Sequence, residues 1–212
     1  MKQFFFVILF VILMSDAFSQ NSNTGFENRK KTGYFNTTQL GLLIGNRQIN
    51  GQNTVSDEAR TELFPSVLMT NGRMFNERWA AGFGVGFEIF DRNLFPVFAD
   101  IRYTMWDNKI SPFFAFKTGY AFCNLKKKHY DNLSLSHEPY WINDAYYRKD
   151  GGIMLYPEMG VKVPLSENAD LMFTVAYRYQ KIKSKVDYYW NYTEKYEENL
   201  NRLSFGVAIM FR

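Results

Sequence analysis

From Trp79 to Phe90 the chain reads WAAGFGVGFEIF. Taken every second residue, Trp79, Ala81, Phe83, Val85, Phe87 and Ile89 are mostly large and apolar, while Ala80, Gly82, Gly84, Gly86 and Glu88 are small or charged. Successive side chains of an extended strand point to opposite faces, so this period of two describes a strand with one greasy face and one small or ionic face. The glycines do not form a nucleotide-binding loop: they fall at every second position, whereas that loop needs a strand-to-helix turn and a different spacing.

The pattern recurs along the chain. Phe95, Val97, Ala99, Ile101, Tyr103 and Met105 oppose Phe98, Asp100, Arg102 and Thr104, and Phe114, Phe116, Tyr120 and Phe122 oppose Ala115, Lys117, Gly119 and Ala121. Ile153, Leu155, Met159, Val161 and Val163 oppose Tyr156, Glu158, Gly160 and Lys162. Leu171, Phe173, Val175, Tyr177 and Tyr179 oppose Thr174, Ala176, Arg178 and Gln180, and Leu203, Phe205, Val207, Ile209 and Phe211 alternate with Arg202, Ser204, Gly206, Ala208 and Met210. Two less regular stretches, near Tyr34 to Ile44 and Phe64 to Phe75, bring the expected strands to eight. Each is close to the ~9–11 residues with which a tilted strand crosses a hydrocarbon layer.

The connections alternate in length. Asn76 to Arg78, Asp107 to Ile110 and Pro164 to Asp170 have turn composition, whereas Gly45 to Leu63, Cys123 to Gly152 and Lys181 to Asn201 are long and polar, with Asp91 to Leu94 a brief exception. Short turns on one rim and long loops on the other fit an all-β, eight-stranded antiparallel up-and-down transmembrane β-barrel. A soluble barrel of the same strand number is the competing fold, and volume decides between them. The interior of eight strands is just wide enough for side chains to fill. Phe83, Phe87, Phe114, Phe116, Phe173 and their like would overfill it, so the aromatic face must look outward, where an apolar belt of that size is tolerable only in lipid.

Composition agrees. The chain has 212 residues, 46% hydrophobic and 18% aromatic, with 22% charged residues and a formal net charge of +4; charge and aromatic content this high argue against a disordered chain, because enough apolar surface is available to offset the entropy of ordering. Beyond the N-terminus no apolar run approaches the ~20 residues of a membrane helix. With one cysteine, Cys123, neither an intramolecular disulfide nor a thiolate zinc site is available. Residues 1–19 read as a secretory signal peptide: Lys2, an apolar stretch from Phe4 to Met14, then Ala17-Phe18-Ser19 before a cut at Gln20. Residues 20–32 are then an N-terminal periplasmic segment and 33–212 the barrel.

With this leader, these strands and the ending LSFGVAIMFR, the chain resembles the small outer-membrane β-barrel proteins of the OmpA/OmpX type. The resemblance implies a gram-negative outer membrane and a last strand, ending at Phe211, that the barrel-insertion machinery reads. Arg212 follows where members of that family end on an aromatic.

Inward charges must be paired or hydrated. Asp100, Lys117 and Glu158 fall near mid-height on consecutive strands and are expected to form one ionic cluster, with Arg178 and Glu88 toward the long-loop rim and Arg102 and Lys162 toward the short-turn rim. Their expected role is structural: they fill the interior. No catalytic set emerges. His129 and His137, near Ser134 and Ser136, sit in a long loop that does not hold a nucleophile and its base in geometry, and no zinc-binding His pair with helical spacing exists. No cofactor, metal or nucleic acid is expected. Lys126, Lys127 and Lys128 stand where a strand leaves the membrane and are expected to contact lipopolysaccharide phosphates. Tyr140 and Trp141, and Tyr188, Tyr189, Trp190 and Tyr192, are candidates for contact with an extracellular protein or glycan or for an interfacial girdle. Lys181, Lys183 and Lys185 alternate with Ile182, Ser184 and Val186, so the last two strands are expected to project as a hairpin. The function classes left are an integral outer-membrane protein acting in envelope integrity or surface interaction, a lipid-A-modifying hydrolase, and a small-solute pore.

Overall fold

The computed structural model describes residues 29–50, 55–56, 62–89, 93–106, 110–123, 128–130, 145–188 and 193–212. Eight strands form the wall: β1 (Gly33–Asn50), β3 (Glu62–Met74), β4 (Trp79–Glu88), β5 (Leu94–Thr104), β6 (Ser111–Cys123), β8 (Ala145–Pro164), β9 (Ala169–Tyr188) and β10 (Thr193–Phe211). Two short pieces lie beside them: β2 (Val55–Ser56) pairs with β1, and β7 (Lys128–Tyr130) with β8. Every wall strand pairs antiparallel with its neighbour in the chain, and β10 pairs with β1 from Asn36↔Phe211 to Asn50↔Glu197. The result is a closed up-and-down barrel with no helix among the described residues. Closure leaves no free edge around the wall: each of the eight strands is hydrogen-bonded to a neighbour on both sides.

The alternation in the sequence becomes an alternation of burial. Along β5 the even residues Leu94, Phe98, Asp100, Arg102 and Thr104 are buried, whereas Phe95, Val97 and Ile101 face out. Among the described residues Phe83 is the most outward apolar one, at 77% exposed. Rings pair across strands on this outer face, as with Trp79 and Tyr103 at 4.9 Å and Phe87 and Phe95 at 5.3 Å. Inward glycines make room for the few rings that do turn in. A Cβ on Gly84 would lie 2.4 Å from the Phe98 ring, so the small residue is what admits the large one. Phe35, Phe98, Phe113 and Tyr156 all occupy the lumen, so the interior is not confined to ions and small residues.

The turns at one end are short and locally closed. Asn76 Oδ1 accepts from the backbone N–H of Arg78 (2.9 Å) and Trp79 (2.7 Å), and Ser111 Oγ accepts from that of Trp106 (2.8 Å). The other end is lopsided. β4 and β5 have 10 and 11 residues and stop after crossing, whereas β8, β9, β10 and β1 have 20, 20, 19 and 18. Of the polar stretches expected to be long links, the described parts are strand: β9 and β10 stay paired up to Asp187↔Thr193 within Lys181 to Asn201, and the described residues of Gly45 to Leu63 and of Cys123 to Gly152 are strand as well. Polarity of the side chains does not mark where the hydrogen bonding of the wall ends. A bulge between Lys149 and Gly151, the latter at φ 87°, lies where β8 begins to overshoot β6.

Candidate functional site

The lumen is stratified. Nearest the short-turn end Asp170 is fully buried and holds two arginines, Arg29 on one oxygen and Arg212 Nε on the other at 2.8 Å. Arg212 also donates to the carbonyl of Lys30 (3.3 Å), so the segment before β1 is strapped across this mouth. Lys162 is buried at the same end of β8.

Above the clasp lies an apolar layer that includes Phe35, Phe113, Met172 and Met210, into which Arg102 projects. Its guanidinium sits 5.6 Å from the Phe35 ring and 5.7 Å from the Phe113 ring, and it donates to Thr37 Oγ1 (3.3 Å) and Asp100 Oδ2 (2.8 Å). Aromatic faces carry negative potential, so the two rings supply part of the solvation that water would.

Next, Lys117 Nζ donates to Glu158 Oε2 (2.5 Å) and Gln39 Oε1 (2.9 Å), while Gln39 Nε2 donates to Glu158 Oε2 (2.9 Å) and Thr174 Oγ1 (3.0 Å). Gln39 belongs to β1 and Lys117 to β6, four strands away around a ring of eight and so on opposite walls. The bond spans the diameter. A middle apolar layer of Leu43, Leu68, Phe98, Met154, Tyr156 and Ala176 follows, in which Tyr156 donates to Ser204 Oγ (2.8 Å).

Toward the long-loop end Arg178 of β9 pairs with Glu88 of β4, again from opposite walls, and donates to Gln180 Oε1 (3.4 Å). Arg202 lies directly across the ladder from Arg178, 5.3 Å from the Phe64 ring, and Glu198 is buried two inward positions further along β10. Leu94, Cys123, Ile182 and Leu200 close this level.

The structure thus corrects one expectation. Asp100, Lys117 and Glu158 do not form a single cluster: Lys117 takes Glu158, and Asp100 takes Arg102 two residues along its own strand. Asp100 is Lys117's neighbour in the ladder, yet the lysine leans away to the one group pair, Gln39 and Glu158, that satisfies it twice. Glu88 and Arg178 pair on the long-loop side of the lumen, Arg102 reaches into the apolar layer of Phe35 and Phe113, and Lys162 is buried near the short-turn end of β8. Sequence reasoning missed Gln39, Arg29, Asp170 and Arg212. Gln39 sits on the irregular first strand, whose inward phase was not assigned, and Asp170 reads as a turn residue although it is the first inward side chain of β9.

Of the expected surface residues, Lys126, Lys127, Tyr140, Trp141, Tyr189, Trp190 and Tyr192 lie outside the described residues, as do residues 1–28, with the expected leader, and His137. Lys128 and Tyr188 are described as backbone positions in β7 and at the end of β9. On the outer face of the projecting hairpin, Lys181 pairs with Glu197 (2.7 Å) and Lys185 with Asp150 (3.2 Å), just beyond Tyr177 and Tyr179, whose hydroxyls donate to Asn201 (2.8 Å) and Asn199 (3.3 Å). The hydrogen bond to Glu197 raises the Lys181 ammonium above its usual range, and the same bond lowers the Glu197 carboxyl below its own.

No family model and no curated protein matches the sequence. Solved structures do. The outer membrane protein OprG of Pseudomonas aeruginosa superposes with a TM-score of 0.55 at 12% identity over 87% of this chain and 97% of its own. Neisserial surface protein A gives 0.53 at 12% identity over 86% and 99%, and the outer membrane protein AlkL gives 0.51 at 11% identity over 92% and 97%. At such identities the likeness is one of fold: this chain has the fold of the eight-stranded outer-membrane barrels.

Proposed function

We propose that a chain with this fold is an integral outer-membrane protein, without cofactor, whose filled lumen makes it an anchor for the extracellular ends of β8, β9, β10 and β1 rather than a conduit. The observation that carries this reading is the pair of bonds across the barrel diameter, Gln39 to Lys117 and Arg178 to Glu88, at two heights of the lumen. Side chains that meet from opposite walls leave no water-wide path at their level, and removing one partner would strand a buried charge. The outward belt supports placement in lipid.

In this reading the short-turn end faces the periplasm and the strapped segment closes that mouth. The tall wall faces outward and works in envelope integrity or surface contact. Lys126, Lys127 and Lys128 meet lipopolysaccharide phosphates where β6 ends, and Tyr140, Trp141 and Tyr188 to Tyr192 face an extracellular protein or glycan. The strand ending at Phe211 is what the insertion machinery engages. The role is one of binding and architecture, not of catalysis.

Purified protein refolded into planar bilayers is the test. No stable open channel is expected, and large, long-lived single-channel openings would overturn the filled-lumen reading. Deleting Lys185 to Glu197 and scoring cell attachment then tests the projecting wall: unchanged attachment retires a contact through this hairpin.

A further inference from the structure

On the outer wall a shallow groove of about 660 Å³ crosses β1, β3, β4, β5 and β6. It follows two adjacent rows of the ladder. One row runs Tyr34, Arg73, Ala81, Ile101, Phe116 and the other Asn36, Asn71, Phe83, Ala99, Thr118. Small side chains at Ala81 and Ala99 make the floor, and Phe83 and Phe116 stand up as its sides. Tyr34 lies one residue from the short-turn end of β1, whereas Phe116 is midway along β6, so the groove climbs from one membrane interface toward the middle. Five strands about 4.8 Å apart give it a run of about 20 Å. The incline keeps that length within the ~15 Å half-thickness of the hydrocarbon core.

The lower end is chemically different from the rest. Tyr34 Oη and Asn36 Nδ2 both donate to Asn71 Oδ1, the latter at 2.6 Å. Two bonds accepted on that oxygen turn the amide nitrogen of Asn71, a pure donor, to the open side. Beside it on the same face of β3 stands Arg73, exposed and without an acidic partner among the described residues. The carboxylates nearby are engaged elsewhere: Glu77 holds Lys31 at 2.5 Å, and Asp100 is buried behind the wall on Arg102. Lys30 and Arg78 add positive charge at the same rim. A cationic head rich in donors, joined to an apolar groove, complements an anionic amphiphile with a phosphate at one end and an acyl chain at the other.

We propose that this groove is a binding site for an anionic glycerophospholipid of the periplasmic leaflet, with the phosphate on Arg73 and Asn71 and an acyl chain laid over Ala81 and Ala99. The inference rests on the membrane reading above, and it goes further by naming one lipid class at one place. Guanidinium and amide donors fork onto phosphate oxygens with a geometry that a zwitterionic headgroup's neighbouring ammonium would oppose at this cationic rim.

The test uses the full chain in nanodiscs of equal parts phosphatidylglycerol and phosphatidylcholine, stripped stepwise and read by native mass spectrometry, with circular dichroism and protease resistance as the check on folding. The wild type is expected to hold one phosphatidylglycerol after phosphatidylcholine has gone. Arg73→Gln lowers that preference about fivefold, the effect of one cation at a lipid surface. Ala99→Phe fills the floor and lowers retention of both lipids, while Lys183→Gln on the projecting hairpin changes neither. Equal retention of the two lipids by the wild type, a preference that survives Arg73→Gln, or full retention by folded Ala99→Phe would each overturn the site and leave the barrel reading standing. Failure of the protein to insert at all would overturn both.

Discussion

The lumen and the projecting hairpin hold ion pairs of the same chemical types, and they are built for different ends. In the lumen Arg178 and Glu88 come from opposite walls, both fully desolvated, and each bond is a strut across a diameter. On the hairpin Lys181 and Glu197 come from adjacent strands and remain 37% and 47% exposed. A charge taken out of water is costly unless its partner is present, so the lumen pairs are conditional on one another, whereas water stands ready to replace either member of the hairpin pair. The first region specifies a closed, unique barrel. The second keeps charge on the exposed face of a projecting strand pair and blunts it.

Breaking the comparison at its strong end has the largest expected effect. Glu88→Ala leaves Arg178 buried without its carboxylate and is expected to cost about 3–5 kcal/mol, the range for stripping one partner from a buried pair. Urea unfolding of the protein refolded in vesicles reads this as a lowered midpoint. An unchanged midpoint would mean that water reaches the strut and that the lumen is open at that height. The clasp at the short-turn mouth is intermediate. Asp170→Asn keeps the shape but weakens two charge-assisted bonds, to Arg29 and Arg212, and is expected to cost about 2 kcal/mol. Its distinguishing sign is local: protease cuts around residues 29–32 in vesicle-bound protein should rise before the barrel itself unfolds.

The smallest effect belongs to the hairpin. Lys181→Gln should shift stability least of the three, and the shift should vanish in high salt, where exposed pairs are screened. Its pH dependence has two sides. The Glu197 carboxyl is depressed, so its share of the stabilisation is present above the usual carboxylate range and lost as pH falls through the lowered value. The Lys181 ammonium is raised, so its share is present below the usual ammonium range and lost as pH rises through the raised value. The difference between wild type and Lys181→Gln should therefore be flat around neutrality and shrink toward both extremes. A steep change near pH 7 would point to a different titrating partner.

The same contrast explains what could be read in advance. Which face of each strand looks inward follows from residue order alone, because the period of two is a property of the extended backbone. Glu88, Lys117, Glu158 and Arg178 were found in the lumen for that reason. Strand ends were harder. Lys181 to Lys185 and Arg148 to Gly151 look like loop by polarity, yet the ladder continues through them because backbone bonds do not require an apolar side chain. The groove on the outer wall could not be read at all: Tyr34, Arg73, Ala81, Ile101 and Phe116 are scattered in the chain, and only the register of four strand pairs lines them up.

Alternation, the outward aromatic surface and the short turns at one end were determined by the amino-acid order by itself, since each depends on residues at most a few positions apart. Who bonds to whom inside was decided by the closed barrel. Gln39 meets Lys117, and Arg29 meets Asp170, because curvature and stagger bring together residues far apart in the chain, and no local pattern encodes the angle at which a sheet closes on itself.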